Sequence, residues 1–216
     1  MRKLTDRVYI VSGKGLFSMP VFIIEKTPDE LYMIDCGLEK DAKCIIKKIN
    51  RKWGSVDKIK KILFTHRHLD HTGGLQEILA EMSRVNKEHK VEIICHTDEA
   101  VKFEEAVKIK PTKTIEHETV IDKDLGLKAI HLPGHTFGHL CYFFEKAKII
   151  LLGDVVMDMG IMLRPVFKKF HDDYDQWQRS LKLLLIYNWE YGVPTHMAAR
   201  KIPRKRLEKF ISKYAI

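Results

Sequence analysis

A chain of 216 residues with 45% hydrophobic and 31% charged residues can bury a sizeable core, and its balance excludes a disordered or low-complexity polymer. No apolar run approaches the ~20 residues of a membrane span, and the start at Met1 shows no apolar leader, so a cytoplasmic protein with no membrane partner is expected. The net charge of +9 would admit an acidic partner such as nucleic acid, although a lysine- and glutamate-rich surface is the plainer account and a nucleic-acid partner is not favoured.

The four cysteines, Cys36, Cys44, Cys95 and Cys141, form no CxxC pair and predict reduced, mostly buried thiols. Along the chain, Val8 to Val11, Val21 to Glu25 and Leu31 to Ile34 read as short strands, with a turn at Thr27-Pro28-Asp29-Glu30. Ala42, Ile45, Ile46, Ile49 and Trp53 recur at helical spacing. Ile59 to Phe64 is a strand, and Leu75, Ile78, Leu79 and Met82 line the next helix. Val91 to Cys95 is another strand, followed by a short helix from Asp98. Consecutive strands follow at Thr119 to Ile121, Leu127 to Leu132, Leu140 to Phe144 and Ile149 to Leu152. Tyr174, Trp177, Leu181, Leu184 and Leu185 predict one long helix. A short strand precedes Pro194, and a terminal helix carrying Leu207, Phe210, Ile211 and Tyr214 is opened by Pro203. Strand runs without intervening helices argue for mixed sheets over a doubly wound one, within a single α/β domain spanning 1–216.

The densest chemical signal is Thr65-His66-Arg67-His68-Leu69-Asp70-His71-Thr72-Gly73-Gly74, directly after a strand. Residues i and i+2 of an extended segment point the same way, so His66 and His68 can grip one ion. Asp70 and His71 fall where the chain turns towards the next helix, within reach of a second ion. Gly73 and Gly74 let backbone pass close by. A lone histidine is more often packed or solvated, but three histidines and a carboxylate at one strand end outweigh that reading. His135 in Pro133-Gly134-His135, Asp154 in Gly153-Asp154 and His196 in Pro194-Thr195-His196 end three further strands. Each is weak evidence alone.

Taken in order, these motifs resemble the metallo-β-lactamase-fold superfamily: HxHxDH, a lone His, a bridging Asp and a final His, preceded by the Ile34-Asp35-Cys36-Gly37 motif. The match covers most of the chain. The resemblance implies a four-layer αβ/βα sandwich of two mixed β-sheets with helices on the outer faces. It implies two divalent metal ions, zinc by default with iron or manganese also suited to nitrogen and carboxylate ligands. His66, His68 and His135 would hold one, Asp70, His71 and His196 the other, and Asp154 would bridge them. Asp35 would be a structural acceptor, and His139 would either orient a ligand or pack as a histidine beneath the site. His89, His96, His117, His131 and His171 match no ligand position.

The implied activity is a binuclear metal-dependent hydrolase acting on a small-molecule ester, thioester or lactone. A hydroxide shared by ions about 3.5–4 Å apart would attack, with Asp70 orienting it. Lactonases of the family carry tyrosine where this chain has Met157, which disfavours a homoserine lactone as substrate, and flavodiiron relatives carry glutamate where it has His68, which disfavours an electron-transfer di-iron role. Gly13 to Met19, and the methionine-rich segment Met157 to Phe170, are expected to shape the pocket, with core packing the more common use of such methionines. Two other activities remain in view: a phosphodiesterase or nuclease, suggested by the basic tail from Arg200 to Lys213, and a single-iron persulfide dioxygenase.

Overall fold

The computed structural model describes residues 1–13, 18–196 and 199–216, so the middle of the Gly13 to Met19 segment lies outside the described residues. Its contacts group into two compact units, Met1–Cys95 with Val101–Lys113, and His96–Ala100 with Thr114–Ile216.

The first unit is a mixed sheet with helices. An antiparallel run of β1 (Arg2–Lys3), β2 (Val8–Val11), β3 (Val21–Thr27) and β4 (Glu30–Ile34) is followed by α1 (Ala42–Trp53). Then come β5 (Ile59–Leu63), α2 (Leu69–Thr72), α3 (Leu75–Val85) and β6 (Glu92–His96), with β5 and β6 parallel to β4. After α4 (Ala100–Val107), β7 (Lys113–Ile115) ends a sheet ordered as the chain runs. Val21 to Ile24 and Leu31 to Ile34 are buried at every position, as strands covered on both faces must be. The spacing seen in α1 buries Ala42, Ile45, Ile46, Ile49 and Trp53, each large aliphatic contributing about 2 kcal/mol. Trp53 also donates its indole N–H to Glu25 Oε2 at 2.6 Å, so its polar edge is satisfied where it meets β3.

In the second unit β8 (Val120–Asp122), β9 (Leu127–His131), β10 (Leu140–Phe144) and β11 (Ile149–Gly153) form an antiparallel run. The hairpin β12 (Met157–Asp158) and β13 (Leu163–Arg164), helix α5 (Tyr174–Ser180), β14 (Tyr191–Pro194), β15 (Ile202–Pro203) and α6 (Arg204–Tyr214) complete it. β14 returns parallel to β11, which makes this sheet mixed as well, in the order β15-β14-β11-β10-β9-β8. Every residue of β10 and β11 is buried, and one face packs Ile130, Phe143 and Leu152 against Trp177, Leu184 and Phe210.

Two local features differ from the sequence expectation. The long helix from Tyr174 is α-helical only to Ser180 and tightens into a 3-10 helix over Leu181–Ile186. Leu181 and Leu184, three apart, are both buried, and a 3-10 turn eclipses that pair on one side. Trp189 donates to Leu184 O at 2.7 Å and takes up a carbonyl that the tighter turn releases. Pro203 lies one residue ahead of α6, as its N-cap. Among the described residues no cysteine forms a disulfide, and Cys36, Cys95 and Cys141 are buried; burial alone pushes the Cys141 thiol far up, so it is inert. Among the described residues no helix is long and apolar enough to cross a membrane.

Candidate metal centre

In the first unit the HxHxDH segment leaves β5 and turns into α2. His68, the residue before α2, is still extended at φ −58° and ψ 144°, and His66 Nε2 lies 3.0 Å from His68 Nδ1. Thr65 Oγ1 sits 3.0 Å from His66 Nδ1 and donates to Asp35, so it accepts the His66 Nδ1–H and leaves that ring's lone pair on Nε2. Asp35 is wholly buried and strained at φ +59°. Its carboxylate accepts from Thr65 N at 2.9 Å and from His71 Nδ1 at 2.8 Å. That second bond leaves the His71 lone pair on Nε2, which is 3.8 Å from Asp70 Oδ2. The pattern is that of imidazoles fixed from behind by oxygen acceptors, with the opposite nitrogens turned towards His68 and Asp70.

Glycines make this turn feasible. A Cβ on Gly73 would come within 2.6 Å of Leu69 O, and one on Gly74 within 2.3 Å of Cys36 O. With no Cβ at either position, α2 lies against the segment that follows β4, where Cys36 N donates to His71 O at 2.6 Å.

In the second unit His135, Asp154 and His196 meet although they follow three different strands. Asp154 Oδ2 lies 2.8 Å from His196 Nε2 and 3.4 Å from His135 Nε2. His139 Nε2 accepts the Asp154 backbone N–H at 3.2 Å and so braces the backbone behind that carboxylate. The turn bearing His135 is braced twice. Asp172 N donates to His135 O and Asp173 N to Gly134 O, both at 3.0 Å. Buried Glu99 accepts from Gly138 N at 3.0 Å.

Glu99 and His171 carry no sequence signal, because nothing local marks them. His171 donates from Nδ1 to Phe167 O at 3.3 Å, and its ring stands 5.0 Å from that of His135. Burial holds its pKa below the usual histidine value, which keeps the ring neutral. His96, Asp98 and His131 also approach one another, one ligand atom from each within 4.8 Å. Their geometry is nevertheless that of packing. The His96 and His131 rings stack at 3.7 Å with planes only 16° apart, so their in-plane lone pairs run side by side instead of converging. His131 Nε2 donates to Phe137 O at 2.8 Å and so supports the turn that carries His135. The basic tail is partly engaged: Arg204 donates to the Leu185, Tyr187 and Trp189 carbonyls, and Arg200 and Arg206 both donate to Gly160 O.

The donor set is therefore rich in histidine and carboxylate, free of thiolate and suited to divalent metal ions. The metallo-beta-lactamase superfamily profile matches residues 15–196. Among curated relatives, a hydroxyacylglutathione hydrolase of Pelagibacter ubique is 28% identical over 159 residues, covering 74% of this chain and 57% of the relative. An atrochrysone carboxyl ACP thioesterase of Aspergillus fumigatus is 29% identical over 153 residues, covering 70% of this chain and 32% of its own length. The chain thus spans less than two thirds of these relatives. Among solved structures, the DIM-1 metallo-beta-lactamase has a TM-score of 0.76 at 17% identity, covering 98% of this chain and 94% of that one. A metallo-beta-lactamase from Pontibacter korlensis has a TM-score of 0.76 at 20% identity, covering 97% and 95%. At such identities the structures establish the shared α/β fold of two mixed sheets, and the profile match extends from before the HxHxDH segment to His196. The chain belongs to the metallo-beta-lactamase superfamily.

Proposed function

We propose that this protein is a cytoplasmic binuclear metal-dependent hydrolase of small-molecule esters, thioesters or lactones, with thioesters the favoured class. His66, His68 and His135 would hold one divalent ion, Asp70, His71 and His196 a second, and Asp154 would bridge them. The observation that carries this reading is Asp154 Oδ2 facing His196 Nε2 at 2.8 Å and His135 Nε2 at 3.4 Å. A carboxylate oxygen with an imidazole nitrogen on each side is what a shared ligand requires. Similarity to a hydroxyacylglutathione hydrolase and an ACP thioesterase favours the thioester class.

When bound, two such ions lower the pKa of water towards neutrality and polarise a carbonyl oxygen. The chain's own residues supply the rest. Asp70, with its side chain about a third exposed, accepts a hydrogen bond from the attacking water and aims it. Asp35 keeps His71 in the tautomer that presents Nε2. His139 holds the Asp154 backbone. Water adds across the acyl–sulfur bond, releasing a carboxylate and a thiol.

Elemental analysis joined to a panel of thioester, ester, lactone, β-lactam and phosphodiester substrates tests the proposal. Two zinc ions per chain and thioester turnover are expected, and Asp154→Asn should lower both metal content and turnover, the latter by about a hundredfold or more. One iron per chain with oxidation of a persulfide would overturn it in favour of the dioxygenase. Turnover confined to phosphodiesters would favour the nuclease, whose main support is weakened because Arg200, Arg204 and Arg206 are already committed to carbonyls of the fold.

A further inference from the structure

The segment from Met157 to Phe170 exposes several large apolar side chains. Ile161 is 90% exposed and Phe167 66%, and Met159, Met162 and Phe170 are each more than 40% exposed. These methionines are therefore not core filling. With Met157, Tyr174 and Tyr214, the exposed Met159, Met162 and Phe167 line a groove of about 580 Å³, within the range of small-molecule sites.

The groove is a built feature. The carboxylate of Asp158 is fully buried and accepts from Arg200 Nε at 2.5 Å and from Gly160 N at 3.0 Å, with Arg206 Nη2 3.8 Å away. Both guanidiniums donate onward to Gly160 O, at 2.6 and 2.7 Å, which pins the hairpin β12–β13 to the chain that leads into α6. At one end the groove begins at Met157, three residues past Asp154. At the other, the Phe167 to Phe170 turn runs into His171, whose ring contacts His135 at 5.0 Å. Arg164 and Lys168 are the charged residues lining it, and no carboxylate does. Lys168 Nζ is held 5.2 Å above the Tyr174 ring.

We propose that this groove binds the acyl group of the substrate, a medium-to-long apolar chain, and that Arg164 and Lys168 at its rim select an anionic, phosphate-bearing carrier. The inference rests on the hydrolase reading for its link to turnover, but binding itself does not depend on chemistry. Methionine suits such a role because its unbranched, polarizable side chain moulds to chains of different length. Two cations without a competing carboxylate complement a phosphate.

The test is direct binding of non-hydrolysable S-alkyl coenzyme A thioethers, from ethyl to dodecyl, and of the matching neutral N-acetylcysteamine thioethers. Kd should fall roughly two- to fourfold per methylene until the groove is filled. Met162→Glu and Met159→Glu, both at exposed positions the fold tolerates, should flatten that dependence. Lys168→Glu should reduce the preference for the coenzyme A series by roughly threefold, and added salt should do the same in the unmodified protein. A Kd independent of chain length, or a chain-length dependence that survives in both methionine variants, overturns the acyl groove. Equal affinity for the neutral and anionic series overturns carrier selection. Hydrolysis of the corresponding thioesters is read separately. Chain-length-dependent binding without turnover of any ester, thioester or lactone sinks the hydrolase reading and leaves the groove standing. Turnover with binding indifferent to chain length does the reverse.

Discussion

At the scale of single residues, Asp35 shows how a side chain that touches no substrate can govern those that would. It sits at φ +59°, a conformation that aspartate and asparagine tolerate better than most residues. Asp35→Asn therefore keeps the backbone while weakening the charge-assisted bond to His71 Nδ1. Metal affinity should drop about 10- to 100-fold with little change in unfolding temperature, as read by competition with a chelator. A variant that binds metal like the parent would show that Asp35 only supports the turn. The HxHxDH cluster is legible in sequence because its members lie within six positions of one another, whereas the Asp35 that fixes His71 is 36 residues away. Glu99 is not legible in that way. Its partner, Gly138 N, is 39 residues distant, and a buried glutamate between a strand and a helix has no pattern of its own.

At the scale of elements, the turn after β9 is the most demanding join in the second unit. Gly134 has φ +126°, and a Cβ there would come within 2.1 Å of the Trp177 backbone nitrogen. Gly134→Ala should cost at least about 3 kcal/mol and lower the midpoint of thermal unfolding by roughly 10 °C. Gly160 provides the control. Its φ is +85° but nothing lies within 4 Å of a built Cβ, so Gly160→Ala should cost only about 1 kcal/mol of backbone strain. Equal losses in the two variants would contradict the clash argument. Trp177 is fully buried where α5 covers the sheet, and Trp177→Ala should cost about 4 kcal/mol in a denaturant titration. The helix containing it was legible from spacing, but its change to a 3-10 turn was not. That change depends on Trp189 reaching Leu184 O, a contact only the folded unit creates.

At the scale of the whole molecule, three histidines outside the proposed ligand set are held below their usual pKa, each with burial as the leading cause: His89, His96 and His171. In the unfolded chain these rings protonate near pH 6.5, whereas in the folded protein they stay neutral to lower pH. Between those values the unfolded state binds more protons, so stability must fall as pH falls through 6.5 and level off below the folded pKa values. Denaturation at pH 7.5 and 5.5 should show this loss. His89→Gln, at a position where Nε2 lies 3.1 Å from Ile59 O, should make the loss smaller. An unchanged pH response in that variant would remove His89 from the account.

The sequence by itself determined the donor chemistry and most of the scaffold. Period-two and helical spacings are local consequences of backbone geometry, and His66, His68, Asp70 and His71 lie within one turn of chain. Only the tertiary structure decided what depends on long-range contact. It brought the nitrogens of His135 and His196 to one oxygen of Asp154, from three strand ends up to 61 residues apart. It decided too that Met159 and Met162 stand open to solvent around a groove. The hairpin bearing them is pinned by Arg200 and Arg206 from a distant part of the chain, and no local pattern records that pairing.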